Sequence, residues 1–176
     1  MRLVDPIGFS QQKAVVDATN AYIEQARSLF KTDFGNIAVR FDLTGKAAGM
    51  YRVQGGESVI RYNAHLFAKY FDDNLTVTIP HEVAHYITDR VYGLRKIRPH
   101  GKEWKALMAE FGADNSRTCN YDLEGIPRRI HRRFPYRCGC ARHELTTRRH
   151  NQIKQGKMQY FCRQCGSSLA PQEPVK

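Results

Sequence analysis

His81-Glu82-Val83-Ala84-His85 constrains the fold of this chain more than any other segment. Two imidazoles four positions apart can serve one ion only if the segment is helical, because i and i+4 then share a face. Glu82, one position on from His81, then carries a carboxylate that can act as general base on water at that ion. Ile79, Val83, Ile87 and Val91 recur every four residues and give the helix a buried stripe beside the histidines. The expected helix runs from about Leu75 to Tyr92 and stops at Gly93. A start near Thr78 leaves Pro80 in the first turn, where its missing N–H matters little, whereas a start near Asn74 demands a kink. The plainer alternative is an amphipathic helix with two ordinary histidines.

Around this helix the pattern is α+β. Apolar residues at Val15, Ala18, Tyr22, Ala26, Leu29 and Phe30 give an amphipathic helix over Gln11 to Phe30. Gly35 and Asn36 end it, and strand-like runs follow at Ile37 to Leu43, Ala48 to Val53 and Ser58 to Tyr62. The Gln54-Gly55-Gly56 gap reads as a hairpin turn joining the second and third runs as antiparallel neighbours. Asn63 suits the cap of a short helix reaching Tyr70. A basic loop, Leu94 to Pro99, leads to a last helix, Gly101 to Phe111, and residues 113–127 read as linker.

Catalytic zinc sites typically take three protein ligands and keep a fourth position open. Two histidines therefore leave one donor to find. His100 lies fifteen residues past His85, and Glu103 lies eighteen past it, on the next helical turn. Both remain open on chemistry alone. The extended H-E-x-x-H-x-x-G-x-x-H pattern is absent, since position 88 is Thr and position 92 is Tyr. Tyr51, Tyr62 and Tyr86 are candidates to stabilise an oxyanion, against the simpler role of packing tyrosines. The strand Ser58 to Tyr62 is expected to be an edge that can pair with an extended substrate.

The formal charge of +11 points to an anionic partner, nucleic acid first and an acidic membrane surface second. Eleven Lys or Arg fall between Arg128 and Arg163 against the single acid Glu144, so nearly all the excess lies in one C-terminal segment. There, Cys138-Gly139-Cys140 and Cys162-Arg163-Gln164-Cys165 pair up as ligands of a second, structural zinc, with His143 the alternative to Cys138. Between the pairs, Arg142, Arg148, Arg149, Lys154 and Lys157 suit phosphate contacts on a small basic hairpin, preceded by Arg128, Arg129, Arg132 and Arg133. A solvated charged face is the plainer reading. Cys119 stands apart as a free cysteine. The first ten residues hold no apolar core of a secretory signal, and no run of about eighteen apolar residues occurs. The expectation is a cytoplasmic or nucleoid-associated protein with no membrane partner and no small-molecule cofactor.

His-Glu-Val-Ala-His followed by His100-Gly-Lys-Glu-Trp resembles the SprT family, related to the protease domain of Spartan. Cys-Gly-Cys, Leu145-Thr-Thr-Arg-Arg-His-Asn and Cys-Arg-Gln-Cys resemble the zinc ribbon of the same family. The resemblance implies a small zincin-like metalloprotease domain over 1–125 and a basic β zinc ribbon over 126–176. It implies His81, His85 and His100 around a catalytic zinc, Glu82 as base, and peptide hydrolysis of protein bound or crosslinked to single-stranded or distorted DNA. The alternative is a zinc-stabilised nucleic-acid-binding protein with a vestigial or very slow protease site. A metal-dependent nuclease fits less well, because such sites rely more on carboxylates.

Overall fold

The computed structural model describes residues 3–115, 120–128 and 132–172 of the 176-residue chain, so Cys119 and Arg129 lie outside it. The chain divides into two compact units, 1–128 and 129–176.

In the first unit, helix α1 (Phe9–Phe30) buries Val15, Thr19, Ile23 and Ala26, one stripe at helical spacing. Lys31 closes it in the left-handed conformation. Three strands follow: β1 (Ala38–Arg40), β2 (Gly49–Gln54) and β3 (Glu57–Tyr62). Gly55 and Gly56 form the two-residue turn between β2 and β3, both with positive φ, as the hairpin twist requires. The sheet order is β1-β3-β2, with β1 parallel and β2 antiparallel to β3. This corrects the expectation for Ser58 to Tyr62. That strand is paired on both sides, and β1 and β2 are the edges.

Asn63 caps α2 (Ala64–Lys69) through the amides of His65 and Leu66, while its Nδ2 holds the carbonyls of Gly45 and Ala47. A further short helix, α3 (Phe71–Thr76), was not expected. It is set off from α4 (Thr78–Tyr92) at Val77 by the fully buried Asn74. Asn74 Nδ2 donates to the carbonyls of Tyr70 (2.7 Å) and Leu66 (3.3 Å), and its Oδ1 accepts from Thr78 Oγ1 (2.6 Å). With α4 beginning at Thr78, Pro80 falls in the first turn and no kink is needed. Ile79, Val83 and Ile87 are all fully buried, each contributing roughly 1.5–3 kcal/mol. Val91, the last member of the expected stripe, is exposed. Packing therefore fixes which face of α4 turns inward, and the histidines follow on the side opposite that stripe.

Helix α5 (Lys102–Glu110) buries Trp104, Leu107 and Met108 against the same core. The segment expected as linker is docked where it is described. Ile126 is buried, Val4 N donates to Gly125 O, Gly45 N donates to Pro127 O, and Lys69 pairs with Asp122.

The second unit holds β4 (Arg133–Arg137), β5 (Arg142–Thr146), α6 (Thr147–Lys154) and β6 (Ala170–Pro171), in sheet order β5-β4-β6. Tyr136 and Leu145 are buried at its centre. The basic stretch expected as a plain hairpin therefore contains a helix, started by Thr146 Oγ1 accepting from Arg149 N. The ring of His150 on that helix stacks on Phe134 of β4, centroids 3.8 Å apart.

Candidate metal centres

Helix α4 presents His81 and His85 on one face, one turn apart, and the start of α5 brings His100 to them. The three Nε2 atoms lie 3.3 Å (81–85), 3.0 Å (85–100) and 3.0 Å (81–100) apart. Tetrahedral Zn–N bonds of about 2.0–2.1 Å place nitrogens about 3.3 Å apart, so the three rings fit one zinc ion. Glu103 is not in this group of close donors. Burial, with the neighbouring rings second, pushes His81 down to about 4 and His85 to about 3. Both are thus neutral near pH 7 and offer lone pairs to a metal.

Trp104 forms the floor. Its ring centroid is 4.7 Å from those of His81 and His100 and 5.7 Å from His85, and Nε1 donates to His81 O at 3.3 Å. His100 itself sits at φ 56°, a conformation that non-glycine residues seldom adopt. Gly101 then lets the chain turn into α5: a Cβ there would meet Arg98 O at 2.8 Å.

Glu82, between the core stripe and the histidines around α4, meets β2. Its Oε2 accepts from Tyr51 N at 2.6 Å, and the side chain is buried. Burial pushes its carboxyl up to about 7 despite that hydrogen bond, which acts the other way. A carboxyl near 7 can both take and return a proton at neutral pH. Gly49 makes the approach of β2 possible, since a Cβ there would lie 2.6 Å from Glu82 Cγ. The three tyrosines are committed elsewhere. Tyr62 OH is buried on Thr19 Oγ1, Tyr86 OH donates to Phe34 O, and Tyr51 OH donates to Asp89.

In the second unit the sulfurs of Cys138, Cys140, Cys162 and Cys165 all lie within 4.8 Å of one another. The 138–140 and 140–162 separations are 3.5 and 3.7 Å, against about 3.8 Å for Zn–S bonds of about 2.3 Å in a tetrahedron. Hydrogen bonding among the crowded sulfurs, with Cys165 first, pushes the Cys140 thiol up to about 12. A divalent cation at the centre removes that cost. His143 Nε2 lies 3.2 Å from Cys138 Sγ but outside the four-donor group, so it partners a sulfur and does not replace one. Arg142 lies on β5, Arg148, Arg149 and Lys154 on α6, and Lys157 just beyond. All five are exposed, and none forms an ion pair among the described residues.

The sequence pattern of the SprT-like family matches residues 19–124. The chain belongs to the SprT-like family. That span holds the whole of the histidine site and none of the four cysteines. The SprT-like chain is also similar over most of its length to proteins named Protein SprT. Identity is 33% with that of Serratia proteamaculans (93% of this chain, 92% of that protein). It is 35% with that of Vibrio parahaemolyticus (93% and 93%) and 36% with that of Vibrio atlanticus (91% and 93%). No solved structure matches. Among the described residues no helix is long and apolar enough to cross a membrane.

Three contributors to the SprT-like site were not singled out from sequence. Gly49 had a signal, since glycine inside a strand run marks close backbone approach. Trp104 had one as the last residue of the His100-Gly-Lys-Glu-Trp motif, though its role as the floor was not foreseen. The Tyr51 amide had none, because it acts through backbone.

Proposed function

We propose that this protein is a zinc-dependent endopeptidase with a zincin-like catalytic unit, acting on protein bound or crosslinked to DNA. The observation that carries the reading is the pairing of three convergent imidazoles with a buried carboxyl one residue from the first of them. A merely structural zinc has no use for that carboxyl.

His81, His85 and His100 would hold the zinc, which supplies Lewis-acid polarisation of a carbonyl and acidifies water. Glu82 takes the proton of the attacking water and delivers it to the leaving amine. Its carboxyl near 7 suits both transfers. The Tyr51 amide keeps one oxygen, Oε2, engaged while the other is available for the proton. β2 is open on one side, so an extended substrate pairs there, reading main chain more than side chain. Cys138, Cys140, Cys162 and Cys165 would hold a second, structural zinc.

The basic second unit binds the DNA, preferring single-stranded or distorted forms. It carries an open recess of about 720 Å³. Arg149 lies over the Tyr160 ring at 5.4 Å there, and Phe161 is 57% exposed, which suits stacking of an unpaired base. Tethering raises the local concentration of substrate, so a weakly selective cleft still acts selectively. The setting we propose is the cytoplasm, where reduced thiolates favour metal over disulfides.

The test is Glu82→Gln. Cleavage of a DNA-bound protein should fall by about 10²–10⁴-fold, with two zinc ions per chain and DNA affinity retained. Parent-like cleavage by the variant would remove Glu82 from the chemistry and the proposal with it.

A further inference from the structure

The near-neutrality of the first unit conceals a segregation of charge. Residues 90–105 hold Arg90, Arg95, Lys96, Arg98, Lys102 and Lys105 against the single acid Glu103. All six bases are exposed. Only Lys102 has an acid within ion-pair reach among the described residues, Glu103 at 4.0 Å. Asp89, just before the stretch, is engaged by Tyr51 OH and Leu94 N.

The backbone that carries these charges is tied down at both ends. Gly93 N donates to Asp89 O, Lys96 N to Gly93 O, Leu94 N to Asp89 Oδ1 and Gly101 N to Arg98 O. From Arg90 to Arg98 the stretch runs between His85 and His100, leaving α4 about two turns beyond His85, and the Nε2 of His100 is 3.0 Å from those of both other histidines. It therefore forms a rim of positive charge between two of the three candidate zinc ligands. Tyr92, 40% exposed, adds an aromatic surface to it.

We infer that this rim, centred on Arg95, Lys96 and Arg98, is a second nucleic-acid contact on the catalytic unit itself. It holds a DNA strand beside the metal centre by its phosphates. The inference rests on the proposed function: a protein attached to DNA can enter the cleft only if the strand runs close by. Six exposed bases on one short stretch suit a regularly spaced polyanion. Arginines with an exposed tyrosine suit a single strand.

The full chain carrying Arg95→Ala, Lys96→Ala and Arg98→Ala together is the test, with Arg148→Ala and Arg149→Ala as the comparison. These loop side chains take no part in the bonds that hold the loop, so zinc content and thermal midpoint should match the parent. Affinity for a single-stranded oligonucleotide is measured across a range of potassium chloride. Losing three phosphate contacts should flatten the log–log salt slope by about 2. The ratio of cleavage of DNA-bound to DNA-free substrate should fall about tenfold. A slope changed by the α6 pair alone would overturn the rim and leave the DNA reading intact. A slope changed by neither would overturn both. Selective loss of acidic-peptide cleavage, or of binding to vesicles containing an anionic lipid, with the DNA slope unchanged would reassign the rim to that partner.

Discussion

Replacing Gly49 by alanine tests how closely the general base is held. The added Cβ would lie 2.6 Å from Glu82 Cγ, 2.7 Å from Thr78 Cγ2 and 2.8 Å from Glu82 Oε1. Carbon atoms in contact normally sit about 3.5–4.0 Å apart, so something must yield by about 1 Å. Thr78 cannot turn away freely, because its hydroxyl is bonded to the buried Asn74 Oδ1 at 2.6 Å. Either Glu82 swings out or β2 lifts, and both break the 2.6 Å bond from Tyr51 N. Overpacking of this kind costs about 1–3 kcal/mol, several degrees of thermal midpoint in a unit of this size. A 1 Å displacement of a catalytic group costs about 100-fold in rate. The histidines lie on another face of α4, so zinc content should hold while cleavage drops. The assay is cleavage rate at full zinc occupancy, beside metal analysis and a melting curve. Gly49→Ala with a rate within about threefold of the parent would refute the argument that β2 positions Glu82.

Cys165→Ala should leave one zinc ion per chain and make the second unit protease-sensitive, and His100→Ala should remove the other ion; metal analysis with limited proteolysis separates the two. Asn74→Ala removes the acceptor of the buried Thr78 hydroxyl and the second donor to the carbonyls of Leu66 and Tyr70, and a loss of roughly 1–3 kcal/mol is expected in urea unfolding. Tyr51→Phe removes the bond to Asp89 but keeps the amide on Glu82, so the turnover rate should fall by less than tenfold, against about 100-fold for Gly49→Ala. In the metal-free protein His81 and His85 are depressed to about 4 and 3, so the unfolded chain binds more protons below about 6.5. Stability from these groups is present above that pH and lost as pH falls toward 4. Glu82, raised to about 7, acts the other way between about 4.5 and 7, so the two histidines outweigh it and chelated protein should unfold more easily in urea at pH 5 than at pH 7.

Periodic elements were the legible part of this fold. The stripes on α1, α4 and α5, the glycine turn between β2 and β3 and the Asn63 cap are local, and each has a signal within a few residues. The centre of the sheet was not legible. β1 joins β3 in parallel across some twenty residues, register Ala38↔Val59, and nothing in either strand announces a second partner. Helix α6 escaped because it buries no residue and so has no stripe to read. Its start rests on one threonine hydroxyl, and it is attached through the His150–Phe134 stack and the bonds of His150 with Tyr136 and of Gln152 with Tyr160. In the histidine site, spacing identified His81, Glu82 and His85, while chemistry favoured His100 over Glu103 without deciding between them. The family resemblance chose His100, and the left-handed backbone on which it reaches the other two rings is something no spacing rule reveals.

The docked segment beyond α5 sets the smallest autonomous version of the catalytic half. Cutting the gene after residue 113, just past the end of α5, would strip Ile126 from the core and orphan the amides of Val4 and Gly45. A fragment meant for isolated study should therefore run through Arg128, where its final ties to the sheet side are complete.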